Sequence, residues 1–148
     1  MNAPIAGIKI GRTFIGAGQP CYIVAEIGVN FDGDLDCARS TIDAAVASGA
    51  NAVRFQTFSA DEFIADGSSV TESQYDMFKR LELPAEWHRV LQEYCKAKGV
   101  EFFSSVADRA AVDLLGSLDV VAFKLASEDL INTSLPEYVA ARHRPTIL

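Results

Sequence analysis

The chain has 148 residues, 49% of them hydrophobic and 22% charged, and its formal net charge is −7. This length allows one domain with a hydrophobic core, and an acidic chain without a basic run argues against a nucleic-acid partner. No apolar run reaches the roughly 18 residues that a membrane-spanning helix needs, and residues 1–7 lack the pattern of a signal peptide. We therefore expect a cytoplasmic protein without a membrane partner.

The first predicted elements are two strands and a helix. Residues 8–14 predict a short strand. Residues 21–27 form a continuous apolar run with one acid, which is typical of a strand buried on both faces. Asp34 can cap a helix whose apolar residues recur at helical spacing, and Gly49 is well placed to end it.

Strand and helix patterns then alternate to the end of the sequence. Four further strands are predicted at 52–56, 100–105, 120–125 and 145–148. Four further helices are predicted at 72–81, from Pro84 to Gly99, from Asp108 to 115, and at 135–141. The connection at 57–71 is too long for a simple turn, which makes it a candidate functional loop.

This alternation predicts right-handed βαβ crossovers and a parallel sheet. An open doubly wound sheet usually carries a glycine-rich phosphate turn after its first strand, and residues 28–33 lack the dinucleotide-binding spacing. Polar residues at the carboxyl ends of successive strands instead favour a (β/α)8 TIM barrel. Such a barrel typically needs about 250 residues, so we expect about its first half here.

Charged side chains lie near the ends of three predicted barrel strands. Glu26, Arg54 and Lys124 each sit among apolar neighbours, where a charge needs a partner. They could pair with one another, or the two cations could bind a substrate carboxylate or phosphate. Arg54 offers a bidentate fork for such an anion, whereas Lys124 acts as a point charge.

Uncharged polar residues accompany them at the same strand ends. Gln56, Ser105 and Ser127 are candidate hydrogen-bond donors to a ligand, although such residues equally serve as caps and turns. His88 and His143 are expected to be solvated, and no histidine or cysteine cluster has metal-ligand spacing. The three cysteines fit no disulfide framework, so we expect each to be a small buried side chain.

Four sequence blocks containing these residues resemble the sialic acid synthase family (N-acetylneuraminate synthase, NeuB-like). The blocks are AEIGVN at 25–30 followed by GD at 33–34, GANAVRFQT at 49–57, ESQY at 72–75 leading to LEL at 81–83, and FKLAS at 123–127 with Asp129. The resemblance runs from about residue 8 to 148. It implies an N-terminal hairpin segment at 1–20 and the first half of a TIM barrel at 21–148. The family's antifreeze-like domain would lie outside this chain.

The resemblance also implies a reaction. The family condenses phosphoenolpyruvate with an N-acyl amino sugar similar to N-acetylmannosamine, forms a sialic-acid-type nonulosonate and releases phosphate. A divalent metal, Mn²⁺ or Mg²⁺, polarises the sugar aldehyde, and its ligands are expected beyond Leu148. A full-length enzyme of this kind would be a homodimer.

Individual roles follow from the same resemblance. Glu26 matches an active-site acid of the family, and Gln56 and Asp129 match residues that contact the sugar. The positions implied to bind phosphoenolpyruvate are Arg54, Ser105, Lys124 and Ser127. Arg54 stands where the family typically has a lysine, which keeps the charge but changes the donor geometry.

Two other functions stay open at this point. The chain could be a truncated, non-catalytic half-barrel that binds an anion or pairs with another half. It could also belong to a different barrel aldolase in which Lys124 forms a Schiff base, which would require a lysine pKa lowered by an apolar pocket.

Overall fold

The computed structural model describes residues 7–64, 71–131 and 133–148. Numbered along the chain, the strands are β1 (Ile8–Ile10), β2 (Thr13–Ile15), β3 (Val24–Gly28), β4 (Ala52–Thr57), β5 (Glu101–Val106), β6 (Phe123–Lys124) and β7 (Thr146–Ile147). The helices are α1 (Leu35–Ala47), α2 (Ala60–Phe63), α3 (Glu72–Arg80), α4 (Ala85–Lys98), α5 (Arg109–Ser117) and α6 (Ser134–Ala140), and a 3₁₀ turn covers Ser127–Ile131. In the described part of the chain, no helix is both long enough and apolar enough to cross a membrane.

Strands β3 to β7 form one parallel sheet in the order of the sequence. A doubly wound sheet reverses its strand order at a switch point, and no such reversal occurs among the described strands. The parallel α/β sheet expected from the sequence is therefore confirmed. Closure of this sheet into an eight-stranded barrel stays a prediction.

The predicted helix boundaries depend on local capping, and the structure confirms the principal ones. The Asp34 side chain accepts a hydrogen bond from the Cys37 amide at 2.7 Å, and Asp108 accepts one from Ala111 at 2.7 Å. Each bond satisfies one of the free N–H groups at a helix start. Helix α4 ends at Gly99, whose φ of +78° lies in the left-handed region.

Residues 8–14, predicted as one strand, instead form the antiparallel hairpin of β1 and β2 with Gly11 and Arg12 at its turn. Arg12 joins the hairpin to the sheet, because its guanidinium donates to the Gly99 carbonyl and its amide to the Glu101 carboxylate, both at 3.4 Å. Glu101 is the first residue of β5. The hairpin therefore lies at the amino ends of the strands, opposite the polar strand ends.

Side chains alternate along the strands between two faces of the sheet. Phe55 and Phe102 belong to the buried core that the sheet shares with the helices, and their ring centroids are 5.7 Å apart. Leu91 and Cys95 of α4 and Leu115 of α5 lie in the same core. Full burial of one such large apolar side chain contributes roughly 1.5–3 kcal/mol, so this face holds the helices in place.

Several sequence expectations were wrong in detail. The first barrel strand begins at Val24 rather than at residue 21, and β6 is two residues long rather than six. Cys95 is buried as expected, but Cys21 and Cys37 are exposed. Part of the predicted loop at 57–71 forms α2, and residues 65–70 of that loop lie outside the described residues.

Candidate functional site

Arg54 is the centre of a polar cluster on the face of the sheet opposite the helices. One of its terminal nitrogens forms an ion pair with a Glu26 carboxylate oxygen, and the other donates to the Ser105 hydroxyl. The Arg54 side chain is 17% exposed, so this guanidinium is largely withdrawn from water. The Arg54 guanidinium therefore connects its own strand, β4, with both neighbouring strands, β3 and β5.

Strand register adds two further residues to this cluster. Gln56 pairs with Ser105 across β4 and β5, and Ser105 pairs with Lys124 across β5 and β6. Directly opposed residues in neighbouring strands point to the same face of a sheet. Gln56, Ser105 and Lys124 therefore form a row across three strands, and the Lys124 ammonium also donates to the Leu125 carbonyl.

Glu26 differs from its sequence-based description as a buried acid, because its side chain is 46% exposed and is paired with Arg54. This ion pair is the structural alternative that the sequence left open, yet the exposed carboxylate also stays accessible to a ligand. Gly28, which has no side chain, leaves room for the Glu26 carboxylate. A Cβ at Gly28, whose φ is +58°, would come within 3.0 Å of the Glu26 carboxylate.

A cavity of about 110 Å³ opens beside this cluster. Gln56, Thr57, Ser105 and Asp129 form its polar part. Three of the predicted site residues thus share one cavity, with Ser105 belonging to both the cavity and the Arg54 cluster. Ser127 is exposed at the start of the 3₁₀ turn and is not among the lining residues.

The other part of the cavity is aromatic, and the sequence interpretation missed it. Phe58, Phe63 and Phe78 pack together with ring centroids 5.3, 5.4 and 6.3 Å apart. They follow β4, end α2 and lie on α3, respectively. The only signal in the sequence was the long connection after β4, and contact among residues from three elements requires the folded chain.

A second polar group lies on the helix side of the same strands. His88 of α4 is fully buried, contrary to the solvated position expected, and its Nε2 lies 2.8 Å from the Thr57 hydroxyl. Thr57 in turn hydrogen-bonds to the Ser104 hydroxyl at 2.8 Å. The spacing of His88 with the core residues Leu91 and Cys95 is that of one helix face and could have indicated this burial.

The protonation of His88 follows from its surroundings. Burial lowers the pKa of His88 below its ordinary value of 6.5, so the neutral ring is favoured. Nδ1 lies 3.0 Å from the Pro84 carbonyl, which can only accept, and therefore carries the proton. Nε2 is left as an acceptor beside the Thr57 hydroxyl, whose single proton is shared between this nitrogen and the Ser104 hydroxyl. Thr57 and Ser104 are the chain neighbours of Gln56 and Ser105, so this network lies on the helix side of the sheet directly beneath the site residues.

A metal site needs several His, Cys, Asp or Glu side chains close together. Across 7–64, 71–131 and 133–148, no three His, Cys, Asp or Glu side chains are grouped so that they could hold a metal ion. Glu26 and Asp129 are the carboxylates of the candidate site, and they do not form such a group. The described residues thus do not fit a resident metal.

Comparisons with known proteins identify the family of this chain. The sequence profile of the NeuB family matches residues 41–148. The chain is 40% identical to the spore coat polysaccharide biosynthesis protein SpsE of Bacillus subtilis, over 97% of this chain and 40% of that protein. It is 37% identical to the N,N'-diacetyllegionaminic acid synthase of Legionella pneumophila, over 99% of this chain and 43% of the synthase.

A solved structure extends the likeness to three dimensions. The N-acetylneuraminic acid (sialic acid) synthetase of Leptospira borgpetersenii, crystallised in complex with citrate, superimposes with a TM-score of 0.88 at 29% identity. The match covers 95% of this chain and 48% of the synthetase, so the chain spans less than half the length of the relatives described here. The family resemblance seen in the four sequence blocks is confirmed, and the chain belongs to the NeuB family.

Proposed function

We propose that this chain supplies the phosphoenolpyruvate-binding half of a sialic-acid-type synthase. In this reaction phosphoenolpyruvate condenses with an N-acyl amino sugar to form a nonulosonate, and phosphate is released. The observation that carries the proposal is that Arg54 and Lys124, on two different strands, both meet Ser105 of the strand between them, Arg54 through a hydrogen bond and Lys124 through strand register. The chain's membership of the NeuB family supports the same reaction.

The charges of Arg54 and Lys124 suit an anion with two acidic groups. Arg54 has a planar fork of the shape that matches a carboxylate or phosphate, and its two terminal nitrogens hold Glu26 and Ser105 in this structure. An anion would bind by taking the place of one of these two partners, and Lys124 adds a second positive charge on the same face. Ser105 and, from the adjoining turn, Ser127 would add hydroxyl donors. Since Arg54 is largely buried, its attraction for an anion is screened less than that of a surface arginine.

The carboxylates take different roles in this proposal. Glu26 is tied to Arg54 yet half-exposed, so it would lie next to bound phosphoenolpyruvate and could accept or deliver a proton at the reacting centre. Asp129 and Gln56 line the adjoining cavity and would orient hydroxyl or amide groups of the sugar. A divalent metal remains part of the expected chemistry, with its ligands outside the described residues.

Titration calorimetry with phosphoenolpyruvate tests the proposal. We expect Arg54→Met to abolish measurable binding, because both hydrogen-bonding nitrogens and the charge are lost. Arg39→Met is the matched control, since Arg39 is a helix-surface residue that pairs with Asp36 at 3.0 Å. Equal affinity in the two variants would contradict the proposal.

Lys124 also allows a direct test of the Schiff-base alternative. Its ammonium donates to the Leu125 carbonyl and lies in register with Ser105, which suits charge pairing with an anion. Treatment with a keto acid and borohydride should therefore leave the mass of the chain unchanged. A covalent adduct at Lys124 would favour the aldolase reaction instead.

A further inference from the structure

The cavity beside Arg54 has two chemically different ends. We call its polar lining residues, Gln56, Thr57, Ser105 and Asp129, the polar end, and the packed rings of Phe58, Phe63 and Phe78 the aromatic end. Hydroxyl groups of a ligand can form hydrogen bonds only with the polar end. An apolar group on the same molecule would cover the aromatic end better than a hydroxyl group would.

The aromatic end is an ordered wall rather than a single exposed side chain. All three ring pairs lie within 6.3 Å, and the Phe58 and Phe78 rings meet nearly edge to face at 84°. Phe63 is 46% exposed, so part of this wall faces solvent. Covering it with an apolar ligand group would remove apolar surface from water, which is favourable in proportion to the area.

We propose that this aromatic end holds the acyl chain of the amino sugar, and that the site therefore favours acyl groups longer than acetyl. The inference rests on the proposed function, because it assumes an N-acyl amino sugar at Gln56 and Asp129. It goes further by assigning Phe58, Phe63 and Phe78 to substrate specificity. The acyl carbonyl would stay at the polar end, with its alkyl carbons against the rings.

The size of the cavity sets a limit on the chain length. An apolar cavity of about 150 Å³ is known to hold benzene, with its six carbon atoms. By proportion, the cavity of about 110 Å³ holds about four non-hydrogen atoms. A butanoyl group has five non-hydrogen atoms. With its carbonyl at the polar end, its three alkyl carbons fit this space, whereas a much longer chain would extend beyond it.

Saturation-transfer NMR with a series of sugars tests the inference in the presence of phosphoenolpyruvate. The probes are N-acetyl-, N-propanoyl- and N-butanoylmannosamine. Each buried methylene should lower the dissociation constant about fourfold, and the saturation should be strongest on the alkyl protons. In Phe63→Ala and Phe78→Ala this dependence on chain length should weaken or disappear.

Met77→Ala is the matched control, because Met77 neighbours Phe78 on α3, is 41% exposed and does not line the cavity. Circular dichroism should be used to check that each variant is folded. Phe63→Ala has little risk of unfolding, because Phe63 is already partly exposed. Equal binding of all three sugars would overturn the inference and leave the proposed function standing. A similar loss in Met77→Ala would also overturn it. Failure of every sugar to bind would overturn the inference, while the proposed function is decided separately by phosphoenolpyruvate binding in calorimetry.

Discussion

His88 gives the sharpest prediction about the scaffold behind the site. Replacing His88 with leucine keeps an apolar side chain in the core but removes the bonds to Thr57 at 2.8 Å and to Pro84 at 3.0 Å. Thr57 keeps its bond to Ser104, and the Pro84 carbonyl keeps one from the Trp87 amide. Neither partner is left alone, so we expect two net hydrogen-bond contributions to be lost, about 1–3 kcal/mol in the free energy of unfolding.

The interaction itself is measured by a double-mutant cycle with urea denaturation. Thr57→Val alone leaves the buried Nε2 of His88 without its partner, and we expect a cost of about 1–3 kcal/mol. The double variant His88→Leu, Thr57→Val lacks both polar partners. Its loss in the free energy of unfolding should therefore be smaller than the sum of the two single losses by about 1 kcal/mol or more. Additivity within about 0.5 kcal/mol would refute the proposed bond. The exposed His143 is the control, and His143→Asn should change stability by less than about 0.5 kcal/mol.

The remaining predictions concern the site cation, a helix end, a buried thiol and the pH dependence of stability. Arg54→Lys keeps the charge but loses the fork, so phosphoenolpyruvate should bind about tenfold more weakly in calorimetry; unchanged affinity would contradict the assigned geometry. Gly99→Ala should destabilise the fold by about 1–2 kcal/mol in urea, because its φ of +78° is unfavourable for any residue with a Cβ. A Cβ would have open space at Gly99 and also at Gly116 inside α5, so Gly116→Ala is the control and should be neutral or stabilising by up to about 1 kcal/mol. Burial raises the pKa of the Cys95 thiol to about 12, so at pH 8 a thiol reagent should label the two exposed cysteines quickly and Cys95 only on unfolding. The pKa of His88 is lower in the folded chain than in the unfolded chain, so as the pH falls the unfolded chain binds a proton at this residue before the folded chain does. The free energy of unfolding should therefore fall as the pH drops below about 6.5. The His88→Leu variant should lack this contribution.

Local signals explain why much of the fold could be predicted from the sequence. Asp34 and Asp108 cap helices through bonds to residues three positions away, and Gly99 ends α4 through its own backbone conformation. Such interactions depend on neighbours in the chain. The parallel strand order likewise follows from alternating patterns joined by short crossovers.

Contacts between distant elements explain what the sequence could not give. The exposure of Glu26 depends on what lies beside β3, which is an edge strand among the described strands. The group formed by Phe58, Phe63 and Phe78 exists only because α2 and α3 fold back on the end of β4. Most of the predicted site residues were nevertheless brought together, because the carboxyl ends of parallel strands meet at one edge of a sheet.

The alternation along β4 has a consequence for how this protein can change. Arg54 and Gln56 face the candidate site, whereas Phe55 and the Thr57 hydroxyl face the helices, with Thr57 also at the edge of the cavity. Contacts with the candidate site and contacts with the core therefore come largely from interleaved positions of the same short segment. A library randomised at Gln56 should yield mostly folded variants with new ligand preferences, while one randomised at the intervening positions should yield mostly unfolded chains. Arg54 is constrained from both sides, because the same guanidinium faces the candidate site and joins β3, β4 and β5.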